Sequence, residues 1–282
     1  MSLRAVAQTR SAMEVREGAG FKVNRAFGNG DTSATDRFLL LDHFQSDDPN
    51  DYLAGAPWHP HRGIETISFI IDGAIEHQDS LGNRRVIRSG GVQWMTAGSG
   101  IVDQEMPQGT SDGRMHGFQL WANLPAAHKM TAPRYQDIDT ADVAEVTDDD
   151  GTVARVITGE FWGRRGPVEG IAASPRYLDL SARPEVTRSI RVELDSQAFA
   201  YVFSGDGVFA GDSSAQNRTL VLFDRGDEIR VTAGPAGIRF LLVSGRPLRE
   251  PVAWYGPIVM NTRDELITAF EEYQQGTFLK SS

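Results

Sequence analysis

The sequence predicts an all-β protein: two tandem β-barrels followed by one C-terminal α-helix. Three observations lead there. Short β-branched and aromatic runs recur, separated by glycine-rich turns. Their order in the first half returns in the second. Near the end, one segment switches to helical spacing between a start signal and a stop signal.

Residues 66–71 form the first clear strand, ended by Asp72-Gly73. Residues 91–96 form another, broken by Gly98-Ser99-Gly100, and residues 117–122 follow. In the second half, residues 200–205 parallel 68–73, residues 224–234 parallel 89–98, and residues 240–243 parallel 118–121. The repeated order is strand, turn, strand, Thr-Ala-Gly turn and strand. A seam is expected between Tyr135 and Gly151, where Asp148-Asp149-Asp150-Gly151 reads as an exposed turn. The expected domains are residues 1–140 and 141–282. The closing helix begins at a capping box, with Thr262 as N-cap and Glu265 three residues on. Leu266, Ile267, Phe270 and Tyr273 keep its spacing, and Gly276 supplies a left-handed stop. It is expected to pack across a barrel.

Composition sets limits. The chain has 282 residues, room for two ordinary domains. It carries a formal net charge of -10, which opposes binding to nucleic acid. The pairs Arg84-Arg85 and Arg164-Arg165 are isolated and read as solvated loop residues. There is no cysteine, so thiol catalysis, disulfides, iron–sulfur clusters and thiolate zinc sites are excluded. No apolar run approaches the roughly 18 residues of a membrane span. A cytoplasmic, monomeric protein is expected.

The chemistry concentrates in two short segments. His59-Pro60-His61 places two imidazoles two residues apart, and Asp103-Gln104-Glu105 does the same for two carboxylates. In strands, such neighbours share a face. If the two strands are adjacent, two nitrogens and two oxygens converge. That donor set suits a divalent metal such as Fe(II), Mn(II), Ni(II) or Zn(II) better than Cu(I). All six histidines lie in the first half, so a histidine-held metal belongs to the N-terminal barrel. A surface His-x-His can also arise by chance. Gly205-Asp206-Gly207-Val208-Phe209-Ala210 matches the GxGxxA dinucleotide pattern, but strands flank it, and a hairpin turn is the better reading.

The residues following these histidines sharpen the reading. His59, His61 and Glu65 resemble the first motif of the cupin superfamily. Pro57-Trp58-His59-Pro60-His61-Arg62-Gly63-Ile64-Glu65-Thr66 resembles the pirin signature, usually PHPHRGFET. Residues 77–83, 93–101, 105–107, 116–125 and 255–262 are also similar to pirin motifs, so the resemblance spans nearly the whole chain. It implies two tandem cupin (double-stranded β-helix) barrels. It also implies a metal in the N-terminal barrel, Fe(II) first among Mn, Ni, Zn or Cu. His59, His61 and Glu105 map onto family ligands. The third family histidine does not carry over, because Asp103 stands there. Asp103 is either a fourth ligand or a neighbour that leaves a position open. As a ligand it would cancel more metal charge than imidazole, lower the Fe(III)/Fe(II) potential and weaken Lewis acidity. Glu65, His77 and His116 are expected to support the site or the fold without ligating. His43 and His128 read as ordinary polar residues in loops.

Some pirin-like proteins are quercetin 2,3-dioxygenases, in which O2 opens the heterocycle of a metal-bound flavonol. The resemblance implies a small aromatic substrate of that kind, with Asp103 and Glu105 as the catalytic carboxylates and Asp103 as ligand or base. The competing expectation is a non-catalytic regulatory pirin with a protein partner and a metal site altered by Asp103. Trp58, Trp94 and Met95 are candidates for an apolar pocket, although Trp94, inside a strand, reads as core.

Overall fold

The fold comes from a computed structural model, which describes residues 2–28, 30, 32–170 and 175–280. The chain separates into two compact units. One unit comprises Met1–Met13, Gly30–Arg37 and Ala141–Pro247; the other comprises Glu14–Asn29, Phe38–Thr140 and Leu248–Ser282. The units therefore change at Thr140/Ala141 but are not simple halves. The first residues belong with the later barrel and the last with the earlier one, which differs from the expected division into 1–140 and 141–282.

Each exchange has a local cause. Val6–Ser11 completes the edge beside Thr219–Phe223. The buried Arg4 guanidinium donates to the carbonyls of Gly226, Glu193 and Ser196. At the other end, the helix Arg263–Gln274 lays Ala269, Leu266 and Phe270 against Ile258 and Met260. Arg62 bonds the Phe278 carbonyl at 2.9 Å and pairs with Glu272 at 2.8 Å. The capping box forms as expected, and Gly276 takes a φ of +73°.

The earlier barrel is built from a seven-stranded and a four-stranded antiparallel sheet. The larger runs in the order Arg134–Ile138, Val92–Thr96, Ile64–Asp72, Met115–Asn123, Phe38–Ser46, Phe21–Phe27 and Met13–Glu17. The smaller runs Ala56–His61, Ile101–Gln108, Ala74–Asp79 and Arg84–Arg88. Ile64–Asp72 is buried along nearly its whole length, which explains its unbroken β-branched run.

The later barrel is one nine-stranded sheet, in which Gln197–Phe209 and Glu228–Gly245 turn the corners. Its interior is filled by apolar side chains, including Phe209, Phe240, Leu178 and Val231. Here two expectations fail. Thr232-Ala233-Gly234 does not end a strand as Thr96-Ala97-Gly98 does, and Gly205-Asp206-Gly207 is not a hairpin turn. Both lie within long strands, where a break in register between Gly205 and Gly207 bends the sheet without interrupting it. Arg84 and Arg85 likewise sit on a strand, not a loop, as do Arg164 and Arg165; all four are exposed. His43 is also misplaced by the loop reading: it lies in Phe38–Ser46 and is fully buried. No helix among the described residues is long and apolar enough to cross a membrane.

Behind the His59-Pro60-His61 strand, Lys129 fastens three segments. Its ammonium donates to the carbonyls of Gly63 and Val259 at 2.9 Å each and to Asn123 Oδ1 at 2.7 Å. A side chain at Gly63 would clash, since a Cβ there would lie 1.9 Å from the Val259 carbonyl oxygen. Burial lowers the Lys129 pKa from 10.5 to about 8, against the upward pull of Glu250 and Glu265. Between those values the unfolded chain binds the extra proton, so this group's contribution to stability rises with pH. The gain is at most about 3 kcal/mol from pH 8 to 10.5. Denaturant unfolding at both pH values should show this gain in the parent and not in Lys129→Met. Equal slopes would contradict it.

Candidate metal centre

The two sequence motifs meet on adjacent antiparallel strands. Asp103 stands opposite His59, and Ile101 opposite His61. A register shift beyond Asp103 places Glu105 opposite Ala56. The strand period turns His59 and His61 to one side, and turns Asp103 toward them from the facing strand.

His59 Nε2 and His61 Nε2 lie 2.9 Å apart. Asp103 Oδ2 is 4.0 Å from the first, and Oδ1 is 3.9 Å from the second. One donor atom from each of the three residues falls within 4.8 Å of the others. Each ring also has its Nδ1 beside a backbone carbonyl oxygen: Pro57 at 2.8 Å for His59, Pro257 at 3.3 Å for His61. A carbonyl only accepts, so Nδ1 carries the proton and Nε2 keeps its lone pair. Burial lowers the His61 pKa to about 4, with Asp103 pulling upward and His59 pushing down, so that ring is neutral at physiological pH.

With a carbonyl at each Nδ1, the two Nε2 atoms meet at 2.9 Å, a spacing that a cation held by both rings would satisfy. Asp103 supplies the matching anion. It is 1 % exposed, and its Oδ1 has no hydrogen-bond partner. Its other oxygen, Oδ2, is held by His77 Nε2 at 3.0 Å. Burial favours the protonated carboxyl, but His61, His77 and His59 outweigh it and hold the Asp103 pKa below its usual value. Burial also opposes the His77 cation, and there the Asp103 hydrogen bond, with Glu105 and Asp79, reverses the direction and raises the pKa. The donor set fits a divalent metal: two imidazoles and one carboxylate.

Glu105 occupies a different place. It accepts from Ser68 Oγ at 3.1 Å and from Gln119 Nε2 at 2.7 Å, and lies outside the three-residue group. It lines the same cavity as His59 and His61, a space of 610 Å³. Phe21, Phe44, Trp121 and Trp254 supply aromatic walls. The aromatic candidates named from the sequence do not. Trp58 is half-exposed, Trp94 is core as expected, and Met95 packs in an apolar cluster with Leu39 and Ile64. Gln119 and Trp121 were legible in principle, as alternate residues of one strand. The contribution of Pro257 comes from a hairpin nearly 200 residues away in sequence. Glu65 bonds Thr96 Oγ1 at 2.8 Å, and His116 faces His43 with their Nε2 atoms 3.0 Å apart. His128 ends a short 3-10 turn.

These features define a two-barrel cupin with a candidate metal centre in one barrel. Comparison with known proteins narrows the class. Residues 20–122 match the family model described as Pirin, and residues 177–279 match the Pirin C-terminal cupin domain. A pirin-like protein of Caulobacter vibrioides is 40% identical, over 99% of this chain and 100% of that protein. A pirin-like protein of Arabidopsis thaliana is 41% identical, over 97% and 90%. A crystal structure of quercetin 2,3-dioxygenase from Acinetobacter baumannii superposes with a TM-score of 0.90 at 30% identity, covering 98% of this chain and 99% of that one. The chain belongs to the pirin family.

The His77–Asp103 contact should support the metal-free fold. Replacing His77 by Phe leaves a buried carboxylate with one partner fewer, and should destabilise the chelated protein by about 3 kcal/mol. Urea unfolding in chelator measures this; an unchanged midpoint would show that the contact contributes nothing.

Proposed function

We propose that this pirin is a metal-dependent dioxygenase acting on a flavonol of the quercetin type. One observation carries the reading. Two imidazole Nε2 atoms and an unpartnered carboxylate oxygen converge beside a cavity with aromatic walls. The similarity to a quercetin 2,3-dioxygenase supports the substrate class.

On this reading His59, His61 and Asp103 hold the metal, with Fe(II) the leading candidate for this donor set. A divalent metal bound there supplies Lewis acidity and, for iron, the electron exchange that lets a closed-shell flavonol react with O2. The rest is done by the chain. His77 fixes the Asp103 carboxylate. Ser68 and Gln119 hold Glu105 as an acceptor on the cavity wall, where it takes the proton of the flavonol hydroxyl. Gln119 is itself oriented by Trp121, whose Nε1 donates to Oε1 at 3.1 Å. Trp121 and Trp254 offer flat apolar surface to a planar ring system and keep water from it.

Elemental analysis of protein purified without chelator, followed by oxygen uptake with quercetin under Fe(II), Mn(II), Ni(II) and Cu(II), tests the proposal. Bound metal without oxygen consumption would rule out the dioxygenase. His59→Ala should abolish stoichiometric metal; an unchanged stoichiometry would place the metal elsewhere. Asp103→His restores the usual family ligand and should raise flavonol turnover, on the order of tenfold. Equal or lower turnover would contradict the role given to Asp103.

A further inference from the structure

The seven-stranded sheet carries a row of polar residues in direct cross-strand register. Arg25 stands opposite Asp42, Asp42 opposite Gln119, Gln119 opposite Ser68, Ser68 opposite Gln93, and Gln93 opposite Asp137. The row on one side contains Phe44 and Ile70, and the row on the other contains Leu40 and Trp121. Polar groups inside a barrel destabilise it unless each finds a partner or has a ligand to meet.

Most members are accounted for. Ser68 and Gln119 hold Glu105, and Gln93 donates to Asp137 at 2.8 Å. At the far end, Arg25 donates to Asp42 from Nε at 2.8 Å and from Nη2 at 2.7 Å. The same Nη2 lies 2.8 Å from Glu17. Nη1 takes part in none of these bonds. Arg25, Asp42 and Glu17 line the same cavity as His59, His61 and Glu105. Arg25 is two strands from Gln119, or roughly 10 Å at ordinary strand spacing. The cavity therefore has two polar ends with aromatic walls between them.

We propose that Arg25 and Glu17 form a second recognition point, which takes a phenolic hydroxyl on the outer ring of the flavonol. The proposal rests on the dioxygenase reading of this cavity. A phenol matches the groups present: its oxygen accepts from Arg25 Nη1, and its proton goes to a Glu17 oxygen. Asp42 fixes the plane of the guanidinium through two parallel bonds. Two carboxylates around one guanidinium disfavour an anionic group here, so a carboxylate or phosphate is rejected where a neutral hydroxyl is accepted. A ring without the hydroxyl would cover Arg25 Nη1 and give it no acceptor, while Asp42 and Glu17 keep their contacts, and this gives the site its selectivity.

Two probes separate the ends of the cavity. Quercetin has hydroxyls on its outer rings; 3-hydroxyflavone keeps the 3-hydroxy-4-ketone and lacks them. Binding to the metal-loaded full chain, measured by anaerobic calorimetry, should favour quercetin by about tenfold. Glu17→Ala, at a half-exposed position, should cut that preference several-fold. Arg25→Met combined with Asp42→Leu removes both buried charges together and should abolish it. Metal stoichiometry should stay unchanged in both variants, and affinity for 3-hydroxyflavone should not fall in either. A full preference for quercetin in both variants would overturn the recognition point and leave the dioxygenase reading intact. Failure of the parent to bind either compound would overturn both. A preference lost in the variants, from a parent that consumes no oxygen, would support the recognition point and sink the dioxygenase.

Discussion

The antiparallel register between Ala56–His61 and Ile101–Gln108 is the constraint on which the candidate centre depends. It sets His59 against Asp103. A slip of one residue would turn either pair of side chains to the opposite face of the sheet. The register is secured from both sides. Ala74–Asp79 pairs along the other edge of Ile101–Gln108, with Asp79 opposite Asp103 and His77 opposite Glu105. Ile101 anchors the start of that strand in an apolar cluster with Ile64 and Ala97.

Asp103 stands where the resemblance read from the sequence leads one to expect histidine. A carboxylate is shorter than an imidazole and must be aimed. His77 does this by bonding one oxygen and leaving the other turned toward the paired rings. Electrostatics act in the same direction. Burial alone would raise the Asp103 pKa, but His61, His77 and His59 together hold it below its usual value, His77 through a direct hydrogen bond. The arrangement stores an unsatisfied oxygen in the metal-free protein, a common mark of a binding site.

The C-terminal hairpin and helix complete this barrel. Pro257 orients His61, Trp254 walls the cavity, and Val259 accepts from Lys129. The absence of a side chain at Gly63 permits that approach. In the later barrel a cluster of buried apolar side chains, Phe209, Phe240, Leu178 and Val231 among them, fills the core, and that half of the sequence has no histidine.

The sequence by itself determined the all-β class, the closing helix with its capping box, and the paired-histidine and paired-carboxylate motifs. These are local properties: a period of two, a period near 3.6, a cap three residues from its partner, and donors two residues apart. It also marked Asp103 as a departure, because the surrounding motif was otherwise intact. Only the tertiary structure decided which chain ends belong to which barrel, that His43 is buried in a strand, and that Gly205 and Thr232 sit within bent strands. It alone placed Glu105 with Ser68 and Gln119, and aligned Arg25 with Asp42. The physical reason is the same in each case. Partners separated by tens or hundreds of residues are chosen by sheet register and burial, and neither quantity is written in any short stretch of chain.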